Sequence, residues 1–297
     1  MDKKEFCKIY LISEFLNYIR NKNYSENTII SYINDLYYFH EFVKMDFDKV
    51  KYDDVRDYLE YLNHKKEKST SVSRKISSLK SFYKFLYKND YMAKKDYPLV
   101  KVTYPKKEKK LPKFLYYNDL LEIINESSKD KDGIRDRLII EMLYATGVRV
   151  SELINIKLSD IDFNNKRIIV CGKGNKERIV YYGDYAEEVL LKYLKTHIRK
   201  DNNYLFLNSK GEQITDGGIR YIIDNIMKKL SIKVHVTPHV LRHTFATDML
   251  NNGCDIKVVQ ELLGHSSLKA TEIYTHVTNE HLKEVYYKCF PRRDKDE

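Results

Sequence analysis

Histidine, arginine, lysine and tyrosine side chains that could act on a phosphodiester are spread over the second half of the chain. In the segment TPHVLRHTFAT, Thr237 is a good helix N-cap and Pro238 suits the first helical turn. His239 then lies in that first turn, where free backbone N–H groups and the helix dipole favour an anion. Arg242 follows three residues later, on the same helix face. The pair predicts an anion site, although this spacing is also common on the helices of basic proteins.

Arg149 is expected in a tight turn between two helices. In LYATGVRVSEL, Gly147 should end the helix that begins near Asp136, and Ser151 should cap the next helix. A guanidinium oriented by such a turn is suited to bidentate contact with a phosphate. The alternative is an ordinary surface arginine that pairs with Glu152.

Three further candidates lie in turns or beside helix ends. Lys173 lies between two glycines in GKGNKE, at the tip of a predicted hairpin, from which it could reach a neighbouring cleft. His265 follows the glycine that should end the helix VVQELL, and the serine pair after it could cap a helix that carries Tyr274. The alternatives are a solvated turn lysine, a structural histidine and a packing residue among 26 tyrosines.

The elements that must position these residues fall into two parts. The first part predicts four amphipathic helices, at residues 6–20, 25–43, 53–64 and 71–90. The second part predicts two helices, then a hairpin formed by RIIV and RIVYY, then helices from Tyr185 to the end. Between them lies a stretch rich in proline and lysine. We therefore expect a helical domain over 1–103, a linker over 104–113 and a second domain over 114–297.

Composition narrows the class of partner. The chain has 297 residues and 53 lysines and arginines against 43 acids, a net charge of +10. This charge predicts a polyanionic partner, with nucleic acid first and an anionic membrane surface second. No apolar run approaches the length of a membrane span. The four cysteines are far apart and form no CxxC, which argues against a zinc site and a disulfide framework. We expect a reducing cytosol, with the protein associated with the nucleoid.

Taken in order, the candidates resemble a known catalytic pattern. The order arginine, lysine, HxxR, histidine, tyrosine is similar to that of the tyrosine recombinase, or phage integrase, family. The flanks TGVRVSEL, GKGNKER, HVLRHTFAT, LGHSS and IYTHV also resemble signatures of that family, and the short two-domain layout is similar to its Xer-type members. The residues concerned are Arg149, Lys173, His239, Arg242, His265 and Tyr274.

The resemblance implies a fold, an activity and roles. The implied fold is mainly α with a small antiparallel sheet, in which a helical core-binding domain precedes an α+β catalytic domain. Tyr274 would attack the scissile phosphate and become joined to its 3′ end. The two arginines and His265 would hold the non-bridging oxygens. Lys173 would protonate the leaving 5′ oxygen, and His239 would accept or position the tyrosine proton. No cofactor, ATP or divalent metal is expected.

The resemblance also implies partners. The expected ligand is a double-stranded DNA recombination site, with a homo- or hetero-tetramer on two such sites; a DNA translocase is a further candidate partner, and no membrane is involved. Basic and polar residues of the fourth helix could face DNA or form a merely solvated face: Ser73, Arg74, Lys75 and Lys80. An apolar stripe near the C-terminus, from Leu282 to Phe290, could pack on its own domain or on a neighbouring subunit.

Several functions are compatible with these features. Xer-type chromosome-dimer resolution is the first, and recombination by an integrase or excisionase of a mobile element is the alternative. A type IB topoisomerase-like enzyme would use similar chemistry without strand exchange. A non-catalytic DNA-binding protein would not need the complete set of six residues. A metal-dependent transposase would need clustered carboxylates and magnesium.

Overall fold

The computed structural model describes residues 2–106, 114–129, 132–172, 176–196, 202–232, 234–264 and 279–294. The chain divides into two compact units, Met1–Lys110 and Leu111–Glu297, and each unit has its own hydrophobic core. The prediction of a mainly helical fold with a small antiparallel sheet is confirmed. Within the described ranges, no helix combines the length and apolar character that crossing a bilayer requires.

The described part of the N-terminal unit contains five α-helices: α1 (Lys3–Phe6), α2 (Tyr10–Asn21), α3 (Glu26–Val43), α4 (Tyr52–His64) and α5 (Ser69–Lys88). Their apolar faces meet in a core rich in aromatic rings, in which Phe15 and Phe82 pack edge to face at 5.2 Å between ring centroids. Ser25 caps α3 by accepting a hydrogen bond from the Thr28 N–H at 3.3 Å. The predicted first helix is divided, because residues 7–9 interrupt it between α1 and α2.

The second unit contains eight helices and three strands within its described residues: α6 (Tyr117–Ser127), α7 (Gly133–Thr146), α8 (Val150–Leu153), β1 (Ile161–Asp162), β2 (Arg167–Cys171), β3 (Glu177–Tyr181), α9 (Asp184–Thr196), α10 (Asp216–Lys229), α11 (Pro238–Asn251), α12 (Ile256–Leu263) and α13 (Asn279–Cys289). The sheet is antiparallel in the order β1-β2-β3. Cys171 pairs with Glu177 at the turn end of the predicted hairpin, and Arg167 pairs with Tyr181 at the other end. The hairpin is confirmed, and β1 is an addition too short to have a sequence pattern.

Helix α7 forms the centre of the second unit. Every residue from 138 to 146 is buried, and the helix packs against α6, α9 and α11. A helix that is buried on all sides has no polar face to orient it in solvent. Packing against these neighbours holds α7 in place. Arg149 lies two residues beyond Gly147, the C-cap of this helix.

The segment between α9 and α10 corrects the prediction of continuous helices after Tyr185. Its described part, residues 202–214, is not helical and consists of extended stretches joined by a turn at residues 209–210. The Leu205 N–H donates to the Ile156 carbonyl at 2.7 Å, and the Leu158 N–H donates to the Asn203 carbonyl at 2.8 Å. The segment is extended because its backbone pairs with residues almost fifty positions earlier, a contact that local sequence patterns do not contain.

The C-terminal helix α13 packs on its own unit in this structure. Tyr286 is 1% exposed, its hydroxyl donates to the Ala145 carbonyl at 3.1 Å, and its ring stacks on Phe290 at 5.0 Å. Beyond the helix, Arg292 forms a buried ion pair with Glu141 at 2.6 Å. The apolar stripe thus packs within its own chain, and its docking on a neighbouring subunit stays a prediction.

Candidate active site

Arg149 lies at the junction between α7 and α8. Its backbone N–H donates to Glu152 Oε2 at 2.7 Å, and its Nη1 donates to Glu152 Oε1 at 2.8 Å. Its Nη2 donates to the Gly264 carbonyl at 3.3 Å. The side chain remains 34% exposed, so a ligand can reach it. Arg149 itself is the N-cap residue of α8, which corrects the prediction that Ser151 caps this helix.

Gly147 shapes the turn that precedes Arg149. It ends α7 in the left-handed conformation with φ of 59°, as its sequence predicts. A Cβ at this position would lie 2.5 Å from Phe245 Cδ1 and 2.9 Å from Leu263 Cδ2. Glycine is therefore required both by the backbone conformation and by the close approach of α11 and α12.

Arg242 is anchored from α11 to both neighbouring elements. Thr237 caps this helix, with Pro238 in its first turn, as predicted. The Arg242 Nη1 donates to the Gly147 carbonyl at 2.5 Å, and its Nη2 donates to the Leu263 carbonyl at 2.6 Å. Burial, together with the positive charge of Arg149, lowers the pKa of Arg242 to about 10.

His239 lies one turn before Arg242 on the same helix and is exposed. The predicted HxxR pair therefore presents an accessible imidazole next to a buried guanidinium. His239 is thus accessible to a ligand, and Arg242 beside it is held in position by its hydrogen bonds to the protein.

Glu152 and Arg178 complete the cluster, and sequence reasoning did not select either as a site residue. Glu152 is 3% exposed. It accepts from Arg178 Nη1 at 2.8 Å and from Arg178 Nη2 at 2.9 Å, a bidentate pair. Burial alone would raise the pKa of Glu152, but the hydrogen bonds from Arg178 and Arg149 hold it below its ordinary value. The spacing of Glu152 from Arg149 suggested a pair, whereas no local signal identifies Arg178.

Three arginines converge on the C-terminal end of α12. Arg178 Nε donates to the Leu262 carbonyl at 3.0 Å, and the next two carbonyls accept from Arg242 and Arg149. These carbonyls have no partners within the helix, and the helix dipole makes this end negative. Three guanidinium groups and the single carboxylate of Glu152 leave a formal charge of +2 on the cluster. Such a cluster suits a multiply charged oxyanion.

Lys173, His265 and Tyr274 lie outside the residues that the structure describes. Described residues beside Lys173 and His265 lie next to the arginine cluster. Gly172 and Lys176 are the described residues on either side of Lys173 in the sequence, and the Gly172 N–H donates to the Lys176 carbonyl at 2.8 Å. A Cβ on Gly172 would lie 3.3 Å from Glu152 Oε1. Gly264, which directly precedes His265, ends α12 with φ of 63° and accepts from Arg149.

Two of the predicted DNA contacts on α5 pair with one buried carboxylate. Asp35 on α3 is 2% exposed. Arg74 donates to it from a side chain that stays 45% exposed. Lys75 Nζ lies 3.8 Å from Asp35 Oδ1, and its side chain is only 9% exposed. Arg74 is thus accessible to a phosphate while Lys75 is enclosed, and the role of both in DNA binding stays a prediction.

The other two candidates on α5, Ser73 and Lys80, differ in their contacts. Ser73 is buried, and its hydroxyl has no hydrogen-bond partner within the described part of the chain. Lys80 donates to the Val102 carbonyl at 2.7 Å and lies 4.6 Å from the ring centroid of Tyr104. Their contact with DNA also stays a prediction.

The described residues contain no group of three or more histidine, cysteine, aspartate or glutamate side chains that could hold a metal ion. The charge of the cluster is instead supplied by arginines. Guanidinium groups can stabilise an oxyanion by charge-assisted hydrogen bonds.

Comparison with known proteins matches both units. The model of the phage integrase family matches residues 113–281, and the model of the phage integrase N-terminal SAM-like domain matches residues 12–90. The chain is 44% identical over 295 residues to the tyrosine recombinase XerC of Listeria innocua, covering 95% of this chain and 98% of that protein. It is 43% identical over 303 residues to the tyrosine recombinase XerC of Staphylococcus saprophyticus, covering 100% of both.

Among solved structures, the fold is similar to that of the Tn1549 transposon integrase in complex with a circular intermediate DNA. The TM-score is 0.70 with 21% identity, over 92% of this chain and 98% of that one. At this identity the likeness supports the fold alone.

Proposed function

The chain belongs to the phage integrase family and is a tyrosine recombinase, and we propose that it exchanges DNA strands at a specific site through a covalent bond between Tyr274 and a 3′ phosphate. The observation that carries this proposal is the arginine cluster. Arg149 directly precedes α8 and Arg242 lies on α11, yet both donate to the carbonyls at the end of α12. Their guanidinium groups are therefore held by the protein before DNA binds.

The cluster supports binding of a phosphodiester in its transition state. When a nucleophile attacks phosphorus, negative charge accumulates on the non-bridging oxygens. Donors that are already oriented stabilise that charge without further reorganisation. We assign Arg149 and Arg242 to these oxygens, with His265 as a further donor. Arg242 remains positively charged at neutral pH, because even its lowered pKa is about 10.

We propose the remaining roles from the family pattern. The Tyr274 oxygen attacks phosphorus while its proton passes to His239 or is positioned by it. The bond from phosphorus to the 5′ oxygen breaks, and Lys173 supplies the proton that this oxygen takes up. The phosphotyrosyl diester resembles the bond that was broken, so a 5′ hydroxyl from another strand can reverse the step without ATP.

Formation of a covalent adduct tests this assignment. A nicked suicide duplex carrying the recombination site should trap the protein on DNA in the presence of EDTA. Tyr274→Phe should lose the adduct while retaining DNA binding, because it lacks only the nucleophilic oxygen. Adduct formed by Tyr274→Phe, or adduct that requires magnesium, would overturn the chemistry proposed here.

For the biological role, we propose Xer-type chromosome-dimer resolution. The full-length similarity to proteins named XerC supports it, and integration of a mobile element is the alternative. The proposed assembly is four protomers on two DNA sites, composed of this chain alone or with a second recombinase, and a DNA translocase is a candidate activator. A plasmid carrying two directly repeated chromosomal sites should be resolved into two circles. Relaxation of supercoils without exchange would instead indicate a topoisomerase-like activity.

A further inference from the structure

Arg178 is a guanidinium whose hydrogen bonds lie within the protein rather than toward a ligand. It lies on β3, and its side chain is 14% exposed. Its Nη1 and Nη2 bind Glu152 at 2.8 and 2.9 Å, and its Nε binds the Leu262 carbonyl at 3.0 Å. Each of its three nitrogens is engaged, so Arg178 is poorly placed to bind a phosphate itself.

The contacts of Arg178 join three separate elements. Glu152 belongs to α8 and also accepts from Arg149 at 2.8 Å. Leu262 belongs to α12, whose next two carbonyls hold Arg242 and Arg149. Arg178 itself lies on β3, five positions after Lys173 in the sequence. One side chain thus links α8, the C-terminal end of α12 and strand β3.

We propose that Arg178 is a positioning residue for strand cleavage: by holding Glu152 and the end of α12 together, it fixes Arg149 and Arg242 in the arrangement that binds the scissile phosphate. This inference rests on the function proposed above. It adds a seventh residue to the six that the sequence pattern selects. Arg178 acts through the other two arginines and does not contact DNA.

The role depends on the planar fork of arginine. A lysine has one nitrogen and cannot donate to both carboxylate oxygens and to a carbonyl in the directions that Arg178 uses. Arg178→Lys keeps the charge but releases either Glu152 or Leu262. A displacement of about 1 Å in a catalytic group can reduce a rate about a hundredfold. The conservative variant therefore separates positioning from net charge.

The experiment compares cleavage with DNA binding in Arg178→Lys and Arg178→Gln. The rate of adduct formation on the nicked duplex is measured in a single turnover at saturating DNA, well below the melting temperature of each variant. We expect this rate to fall about 10- to 100-fold, while the DNA dissociation constant changes less than about threefold. The matched control is Arg167→Lys on β2, which pairs with Asp162 at 2.9 Å and forms no side-chain hydrogen bond to α12 within the described residues. It should cleave at the parent rate.

A double-mutant comparison of cleavage rates separates positioning by Arg178 from a general loss of stability. If Arg178 acts through Glu152, then Glu152→Gln combined with Arg178→Gln should slow cleavage little more than the slower single variant. Multiplied effects would overturn this coupling, as would cleavage by Arg178→Lys at the parent rate. Loss of folding in both Arg178 variants would also overturn the proposal, since the residue would then serve stability.

These outcomes are distinct from a failure of the proposed function. In that case the unaltered chain would form no adduct, or Tyr274→Phe would form it equally well. The proposal on Arg178 is judged only where the unaltered chain cleaves and Tyr274→Phe does not.

Discussion

Arg242 is a buried cation whose described hydrogen-bond partners are neutral carbonyls. It is 8% exposed, and it donates to Gly147 and Leu263 rather than to a carboxylate. Burial and the charge of Arg149 both disfavour its protonated form. An oxyanion placed between the two guanidinium groups would therefore relieve repulsion as well as form hydrogen bonds. The buried charge of Arg242 is unfavourable in the free protein, and a bound phosphate would supply it with a counter-charge.

This reasoning predicts specific stabilisation by a simple oxyanion. Millimolar sulfate should raise the melting temperature of the unaltered chain above its value in sodium chloride of equal ionic strength, because a ligand of the folded state stabilises it. Arg242→Gln should lose most of this increment. Differential scanning fluorimetry measures it, and Arg220→Gln, which breaks an exposed pair with Asp216, is the control. An equal increment in Arg242→Gln and the parent would contradict the assignment.

The lowered pKa of Glu152 gives a second prediction, which concerns the stability of the protein in acid. Its pKa is lowered in the folded protein from the ordinary 4.5, so its contribution to stability is present above about pH 4.5 and declines as the pH falls through the folded value. Glu152→Gln should lower the free energy of unfolding by about 3 kcal/mol at pH 7. That difference should shrink below pH 4.5, as followed by urea denaturation.

The control for Glu152 is Asp162→Asn. The pKa of Asp162 is also lowered, mainly by hydrogen bonds from Asn165, but this carboxylate lies at the surface. Its substitution should change stability far less than Glu152→Gln at every pH. A difference between Glu152→Gln and the parent that stayed constant down to pH 3 would show that ionisation of Glu152 is not its source.

At the scale of elements, the site is assembled from helix ends. Gly147 ends α7, Thr237 begins α11, and Gly264 ends α12. These residue types specify helix ends by local chemistry, so the sequence alone predicts where each helix stops or starts. The two glycines also let the backbone approach neighbouring side chains closely, which is why the arginines can reach carbonyls at these ends.

Gly147 provides a test at this scale. Gly147→Ala places a methyl group in the left-handed region and within 2.5 Å of the Phe245 ring. We expect a loss of stability of about 2–4 kcal/mol and displacement of the carbonyl that holds Arg242, so that cleavage by the folded fraction also falls. Thermal unfolding and single-turnover cleavage measure the two effects.

Gly211→Ala is the matched control for Gly147→Ala. Gly211 also has a positive φ, of 80°, but a Cβ there would meet nothing within 4 Å. Only the conformational cost of about 1 kcal/mol should remain, with cleavage unchanged. Equal losses in both variants would show that the close packing around Gly147 does not matter.

The long-range contacts of the site could not be predicted from the sequence, for a physical reason. The contact between Arg178 and Leu262 joins residues 84 positions apart, and Leu205 pairs with Ile156 across 49 positions. No turn or periodicity signal carries such information, because it arises only when the elements pack. Arg149 was predicted as a turn residue, but its position as N-cap became evident only from the backbone, since Ser151 is the better cap by type.

At the scale of the whole molecule, two separate cores are carried by one basic chain. Each core consists of residues from one unit only, and the net charge is +10. Affinity for DNA then depends on the phosphate contacts of each unit and on their covalent connection. Once one unit has bound, the other is held near the same duplex at a high effective concentration.

We therefore predict that residues 2–106 and 114–297 fold when produced separately, each with one cooperative melting transition. The intact chain should bind its DNA site more tightly than either fragment by a factor on the order of 10²–10⁴. Its dependence on salt should be close to the sum of the two fragment slopes in a plot of log affinity against log salt concentration, because each phosphate contact releases counterions.

An equimolar mixture of the two fragments should bind the DNA site only weakly, because the fragments are not connected. A chain with residues 107–113 replaced by seven glycines and serines separates linkage from the charge of the lysines, since it should keep most of the gain. A mixture that bound as tightly as the intact chain would contradict the role of the connection.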